Sequence, residues 1–358
     1  MLAYPRMNIN LKAIRDNAAH LKKVCTEQGI NLTGVVKGSA GDEKVARAFL
    51  QGGITSLGDS RLRNIKHLRQ CGIEAEYMLL RLPDPGEAKN VVKLADISLN
   101  SEFTTLKALS RAAGDLNTVH KVIIMVDVGD LREGLWEDEL ENFMEQALEL
   151  ENLKIAGLGT NVGCYGGVLP TRENTEKLVT YQERVEKKFA IDLPLLSGGN
   201  TATTVLLEQN ELPDAVNHLR VGEGILQGTD VTNQRQLSGL KQQNITVSAT
   251  IIELKEKPSV PIGKTGHDAF GGKPEFTDKG LRQRAILALG RQDMRIKGLN
   301  AVRSGAQVIG ASSDHLLVDV TEVEDNLEVG EPLEFELSYA AMLAGMNSPY
   351  TRKYYREE

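Results

Sequence analysis

A lysine that directly follows a short apolar run is the residue in this sequence best suited to chemistry. The segment Thr33–Lys37 reads Thr-Gly-Val-Val-Lys, so a buried strand would carry the Lys37 amine at its carboxyl end. Burial and a neighbouring cation such as Arg220 would lower the pKa of this amine, which favours the uncharged, nucleophilic form. The alternative role is a salt bridge to Asp59 or Asp127.

Three glycine-rich segments offer backbone N–H groups, which bind phosphate well at the start of a helix. They are Gly38-Ser39-Ala40-Gly41, Ser197-Gly198-Gly199-Asn200-Thr201 and Val221-Gly222-Glu223-Gly224. The other interpretation is that their glycines only make tight turns. Because no Walker motif is present, a phosphate cradle beside an inward lysine favours pyridoxal phosphate over a nucleotide.

Alternating strand and helix patterns indicate how these residues are brought together. Eight apolar runs have strand character, and amphipathic stretches separate them. This predicts an α/β fold with an N-terminal (β/α)8 TIM-like barrel. The predicted strands are Thr33–Val36, Ile54–Leu57, Glu76–Leu80, Asp96–Leu99, Lys121–Val126, Lys154–Leu158, Leu193–Leu196 and Asn217–Val221.

Barrel enzymes place their active sites at the carboxyl ends of the strands. Polar or charged residues stand at all eight of these ends, and two of the glycine-rich segments follow the last two strands. The eight residues are Lys37, Asp59, Arg81, Asn100, Asp127, Asn161, Ser197 and Arg220.

The rest of the chain is predicted to form a C-terminal, mostly-β domain. Beyond a polar connection at residues 230–242, four stretches alternate as strands do, and helix signals are scarce until Ala340–Ala344. We therefore expect a barrel over residues 10–232 and a β domain made of residues 1–9 and 240–358.

Composition limits the class of partner. A formal net charge of −7 disfavours nucleic acid, because phosphate binding needs a basic face. We find no signal peptide or membrane-spanning stretch, so we expect no membrane partner. Cys25, Cys71 and Cys164 lack disulfide or zinc spacing, which favours a cytoplasmic protein without a metal site.

Many segments resemble those of alanine racemases, in order and along nearly the whole chain. Residues 34–42 are similar to the family's pyridoxal-lysine segment, and residues 125–134 are similar to its strand-five segment. The other similar segments are 197–201, 219–223, 260–263 and 289–293. The alanine/ornithine racemase subfamily is the nearer match, on residues 58–61, 159–161, 164–167 and 312–315.

This resemblance implies roles for individual residues. Lys37 would hold pyridoxal phosphate as a Schiff base and exchange the Cα proton on one face of the substrate. Arg220 would face the pyridine nitrogen and disfavour its protonation. Arg132 would serve the phenolic oxygen or the substrate carboxylate, and Asn161 stands where the family has a ring-stacking histidine. The residues implied at the phosphate and its segments are Ser197, Asn200, Thr201, Gly222, Glu223 and Tyr350.

The sequence departs from the family at two positions. Met125 replaces the strand-five lysine, and no tyrosine follows Ile262-Gly263, where the family has the base for the opposite substrate face. Racemisation by two bases needs a second proton carrier there. Among residues 264–271 we expect His267 or Asp268 to supply it, with Lys264 as a further candidate. A base donated by the partner's β domain implies a homodimer with shared active sites.

The resemblance thus implies a pyridoxal-phosphate-dependent isomerase that racemises ornithine, lysine or alanine. Asp130, Glu133 or Asp268 would receive the terminal ammonium of a basic substrate. Two alternatives stay open. One is a basic amino-acid decarboxylase, although no cysteine lies beyond Cys164 to match that family's cysteine-aspartate segment. The other is a non-catalytic pyridoxal phosphate carrier, which would leave residues 240–358 unexplained.

Overall fold

The computed structural model describes residues 5–357 and divides into two units. The barrel unit is Leu11–Gln242. The β unit consists of the described residues through Asn10 together with those from Gln243 onward. Residues 1–4 and 358, which the sequence assigned to the β domain, lie outside the described residues.

Eight parallel strands close into a barrel, which confirms the predicted fold class. The first strand of the chain, β1 (Arg6–Asn10), belongs to the β unit. Each barrel strand pairs with the next in the chain, and the last pairs with the first. The barrel strands are β2 (Asn31–Val35), β3 (Ser56–Asp59), β4 (Glu76–Leu79), β5 (Ile97–Asn100), β6 (His120–Met125), β7 (Leu153–Gly159), β8 (Leu195–Ser197) and β9 (His218–Val221).

Helices of the barrel unit begin where the sequence offers side chains that satisfy the first backbone N–H groups. Asp42 accepts hydrogen bonds from two amides at the start of the second helix, and Thr171 and Asn174 cap the seventh reciprocally. The helices are α1 (Leu11–Glu27), α2 (Glu43–Gln51), α3 (Leu62–Gln70), α4 (Ala88–Leu94), α5 (Phe103–Asp115), α6 (Leu140–Leu148), α7 (Arg172–Phe189), α8 (Thr204–Gln209) and α9 (Glu223–Gln227).

Apolar side chains fill part of the barrel interior. One buried cluster joins residues of strands β4, β5, β6 and β7, namely Met78, Ile97, Leu99, Ile123, Met125 and Ala156. Met125, which stands in place of the family's strand-five lysine, is fully buried in this cluster. The side chain there is therefore part of the core and brings no charge to the barrel.

The β unit is built around one long strand, which pairs antiparallel with β1 and two later strands. A hairpin of β10 (Thr229–Asp230) and β11 (Arg235–Gln236) precedes it in the barrel unit. The strands of the β unit after β1 are β12 (Ile245–Pro258), β13 (Leu281–Leu287), β14 (Leu299–Ala301), β15 (Gln307–Ala311), β16 (Leu316–Asp319), β17 (Pro332–Leu337) and β18 (Arg352–Arg356), with helix α10 (Tyr339–Asn347). Among the described helices, none is long and apolar enough to cross a membrane.

Candidate active site

Lys37 lies at the carboxyl end of β2, in a short 3-10 turn over Lys37–Ser39. Its side chain is half-buried, and its amine forms no hydrogen bond or ion pair within residues 5–357. The alternative of a salt bridge to Asp59 or Asp127 is therefore wrong. Burial lowers the pKa of the Lys37 amine, as predicted, and the cation that adds to this effect is Arg132 rather than Arg220.

Arg220 lies within β9, next to β2, and only 4% of it is exposed. Its guanidinium donates hydrogen bonds to the Ser197 hydroxyl and, over 2.6 Å, to the Thr160 carbonyl oxygen. No carboxylate of the described chain lies within ion-pair distance of it. Burial accordingly lowers the pKa of Arg220 to about 10.

A buried histidine contacts the Ser197 hydroxyl to which Arg220 donates its hydrogen bond. His218 Nδ1 lies 2.7 Å from the Ser197 hydroxyl, and its Nε2 lies 2.9 Å from the hydroxyl of Thr33 on β2. Burial lowers the pKa of His218 to about 3, and Arg220 contributes, so the ring is neutral. Because Ser197 is fully buried in this network, its hydroxyl positions Arg220.

The two glycine-rich segments after β8 and β9 converge, as the sequence predicts for a phosphate site. The amide of Gly224 donates to the Thr201 hydroxyl over 3.3 Å. A Cβ on Gly224 would lie 3.2 Å from the Thr201 methyl and 2.7 Å from Leu237, so the absence of a side chain permits this close approach. Gly222 immediately precedes α9, so the first amides of that helix lack intrahelical acceptors.

Glu223, the first residue of α9, has its side chain directed to the following hairpin. Its carboxylate accepts hydrogen bonds from the Thr229 hydroxyl at 2.8 Å and the Val231 amide at 2.9 Å. Burial raises the pKa of this carboxyl to about 7. The part of Glu223 available to an anion is therefore its backbone amide.

Asn200 connects the phosphate side of the mouth to the loop after β7. Its Oδ1 accepts from the Ala202 amide at 2.8 Å, and its Nδ2 donates to Asn161 Oδ1 at 3.0 Å. Asn161 in turn donates to the Cys164 sulfur at 2.9 Å, and Asn200 reaches the same sulfur at 3.5 Å. No site role was predicted for Cys164, although it begins the glycine-containing segment 164–167 that carries part of the resemblance.

Arg132 and Glu133 form an ion pair in the loop after β6. The Arg132 side chain is 37% exposed and the Glu133 side chain 16% exposed, so the pair is partly open to solvent. Both side chains interact electrostatically with Lys37. A cation and a carboxylate therefore stand side by side near the lysine.

Asp130 anchors the glycine-rich loop over residues 163–168. One carboxylate oxygen accepts from the amides of Gly163 and Val168 at 3.1 and 3.3 Å, and the other accepts from Cys164 and Tyr165 at 3.2 and 2.9 Å. Only 1% of Asp130 is exposed. Because four amides occupy this carboxylate, the prediction that it receives a substrate ammonium is wrong.

Asp59 ends β3 and is almost completely buried. Its carboxylate accepts from the Arg61 amide at 2.8 Å and from Asn64 Nδ2 at 3.1 Å. Burial raises its pKa to about 6, and its charge also acts on Lys37.

Three other predicted strand-end residues lie apart from these contacts. Arg81 is exposed, Asn100 donates a hydrogen bond to Ser98, and Asp127 accepts one from the Gly129 amide. No group of three metal-ligating side chains occurs in the described part of the chain.

Three predicted site residues belong to the β unit. His267 is exposed, and Tyr350 is exposed after α10. Asp268 closes a turn by accepting from the Gly272 and Phe270 amides at 2.7 and 2.9 Å, and these bonds lower its pKa. A carboxylate with a lowered pKa and two amide partners is poorly suited to act as a base.

Comparisons with known proteins agree with this geometry. A model of the alanine racemase N-terminal domain matches residues 9–229. A lysine racemase of Thermotoga maritima is 42% identical over 99% of both chains, and an ornithine racemase of Acetoanaerobium sticklandii is 41% identical over 98% of this chain and 99% of its own. An alanine racemase structure from Streptomyces lavendulae superposes with a TM-score of 0.75 at 18% identity, covering 99% of this chain and 98% of that one, which shows a common fold.

Removing the charge of Asp130 should release the loop that it anchors. We expect Asp130→Asn to lower the free energy of unfolding by about 3 kcal/mol, because an amide keeps one acceptor and turns two N–H groups toward N–H donors. Thermal unfolding and hydrogen exchange of residues 163–168 measure this. Asp127→Asn, which removes a carboxylate with one amide partner, is the control. Equal protection of the loop in the two variants would contradict the anchoring role.

Asp59 should make stability depend on pH. Its pKa in the folded chain, about 6, lies above the ordinary value of 3.8, so its contribution is complete below about pH 4 and is lost as pH rises to 6. The loss amounts to about 3 kcal/mol at most. Asp59→Asn should abolish this part of the pH dependence when unfolding is followed from pH 4 to 8. An unchanged profile would show that the buried carboxyl does not titrate in this range.

Proposed function

Because this chain belongs to the alanine racemase family, we propose that it is an amino-acid racemase that uses pyridoxal phosphate and acts on ornithine or lysine. The observation that carries the proposal is the amine of Lys37, which stands unpaired at the end of a barrel strand with a lowered pKa. The identities of 42% and 41% to a lysine and an ornithine racemase support a basic substrate.

The donor set at the barrel mouth fits pyridoxal phosphate. The Thr201 hydroxyl and the amides of Gly222 and Glu223 offer uncharged donors for a phosphate, and Asn200 fixes the turn that carries Thr201. Arg220 is a buried cation whose partners are neutral acceptors. When bound, pyridoxal phosphate withdraws electrons from the Cα–H bond of an attached amino acid and makes that hydrogen acidic.

Lys37 would then move the proton on one face of the substrate. Its uncharged amine accepts the Cα hydrogen as a proton, and the resulting ammonium can return it. The lowered pKa keeps a useful fraction of the amine uncharged. Arg220, held through Ser197 and the neutral His218, would face the pyridine nitrogen with a fixed positive charge and would disfavour a second one there.

The Arg132–Glu133 pair complements a basic amino acid. Arg132 can bind the substrate carboxylate, and Glu133 can receive the ammonium of the side chain. Asp130 and Asp268 are occupied by backbone amides, which leaves Glu133 as the acid from the predicted set. The pair thus offers one charge for each end of ornithine or lysine.

We also propose a cytoplasmic homodimer with shared sites. The exposed loop over residues 262–272 and the exposed Tyr350 of the β unit would then face the partner's barrel, with Tyr350 near the phosphate. The assignment of His267 as a base from the partner stays a prediction.

Incubation with single enantiomers tests the activity. Purified protein should convert L-ornithine and L-lysine to their D-isomers, with L-alanine a poorer substrate, as followed by chiral chromatography. Borohydride reduction followed by peptide mapping should place the reduced cofactor on Lys37. Release of CO2 would instead identify a decarboxylase. A labelled Lys37 with no turnover would identify a carrier, and a label on another lysine would contradict the assignment.

Substrate choice should depend on Glu133. We expect Glu133→Gln to raise the KM for ornithine about tenfold, because a charge-assisted hydrogen bond to the ammonium is lost, while the KM for alanine changes little. Glu176→Gln, which removes a surface partner of Arg172, is the control for loss of one charge. A similar rise of KM for both substrates would contradict recognition of the side-chain ammonium.

A further inference from the structure

We propose that Cys164 is the second catalytic residue and exchanges the Cα proton on the substrate face opposite to Lys37. The inference rests on the proposed racemase function and names the group that this function still needs. No tyrosine occurs between residues 264 and 271. The described barrel unit, by contrast, contains a proton-carrying thiol in direct contact with the residues of the candidate site.

The order of strands around the barrel places Cys164 and Lys37 on two sides of the proposed cofactor residues. Arg220 lies on β9 and Thr201 follows β8, and these strands are neighbours. Lys37 follows β2, which pairs with β9 on one side, whereas Cys164 follows β7, which pairs with β8 on the other. A cofactor held by residues of β8 and β9 would therefore have the amine on one flank and the thiol on the opposite flank.

Hydrogen bonds fix the sulfur in this position. Asn161 Nδ2 donates to it at 2.9 Å and Asn200 Nδ2 at 3.5 Å, and Asn200 also begins the turn that carries Thr201. The backbone on both sides of the sulfur is held by the buried carboxylate of Asp130. The thiol is thus built into the mouth on a fixed loop, although it is solvent-accessible.

Three cations of the candidate site surround the sulfur. Arg132, Arg220 and Lys37 all interact electrostatically with Cys164, and Glu133 is the acid that interacts with the same three cations. The thiolate is the form of a cysteine that can accept a proton. Burial raises the pKa of Cys25 to about 11 and also raises the pKa of Cys71.

The proton balance closes with these two groups. In one direction the thiolate takes the Cα proton and becomes a thiol, while the Lys37 ammonium gives a proton to the other face and becomes an amine. In the reverse direction the amine takes the proton and the thiol gives one. Transfer of a proton from the thiol to the amine through water restores the starting state. No oxidant, reductant or metal takes part.

Exchange of the Cα hydrogen in D2O tests the assignment. We expect Cys164→Ser to lower racemisation of ornithine by 10²–10⁴-fold, the usual contribution of a general base. Deuterium should still enter one enantiomer through Lys37. Its entry into the other enantiomer should be abolished. Loss of proper folding would lower both exchanges equally, and that result would overturn a proton-transfer role. Cys71→Ser is the matched control and should keep both exchanges.

Alkylation provides a readout that does not depend on turnover. Iodoacetamide should modify Cys164 before Cys71 and Cys25, as determined by peptide mapping. Borohydride should still attach the cofactor to Lys37 in the Cys164→Ser variant. If borohydride attaches no cofactor to Lys37 in this variant, the substitution damages cofactor binding. That result would overturn the assignment of Cys164 as a base.

The outcomes separate this inference from the function on which it rests. If the wild type racemises no amino acid, both fail. If the wild type and Cys164→Ser racemise ornithine at equal rates, only the role of Cys164 fails. If His267→Asn loses exchange from one enantiomer while Cys164→Ser keeps both, the second base is the histidine. Normal exchange in His267→Asn with one-sided loss in Cys164→Ser supports the proposal.

Discussion

Burial of an arginine without a carboxylate partner is the constraint on which the barrel mouth depends. Desolvation of a guanidinium is costly, so its donors must meet good acceptors. Arg220 donates to the Ser197 hydroxyl and the Thr160 carbonyl oxygen. The neutral ring of His218 forms a hydrogen bond with the same Ser197 hydroxyl. These contacts join strands β7, β8 and β9 and extend to Thr33 on β2. The cation is therefore held by neutral acceptors on a strand next to that of Lys37, and it keeps its charge.

Charges of both signs act on the Lys37 amine. Burial and Arg132 lower the pKa of its amine, whereas Cys164, Asp59 and Glu133 raise it. The net direction is downward, because desolvation is the largest of these effects. Such a balance suits an amine that must take a proton and return it during one reaction. A single strong ion pair would hold the ammonium in one state.

The sequence predicted the barrel well because eight buried parallel strands leave a strong apolar signal. It predicted that Lys37, Arg220 and Thr201 lie at one mouth, because residues at strand ends meet there in any such barrel, and their roles stay predictions. Short strands, including β1, β15 and β18, were missed because they carry little periodicity. The partners of Asp130 were not predictable, since four backbone amides over 30 residues away leave no pattern of side-chain types.

The anchoring of one loop by a distant carboxylate has a consequence for protein engineering. The loop over residues 163–168 follows β7, but the carboxylate that shapes it belongs to Asp130, in the loop after β6. A transplant of the later loop into another racemase would transfer its residues without the group that gives them their conformation. Both segments have to be moved together, because they form one structural module encoded in two places.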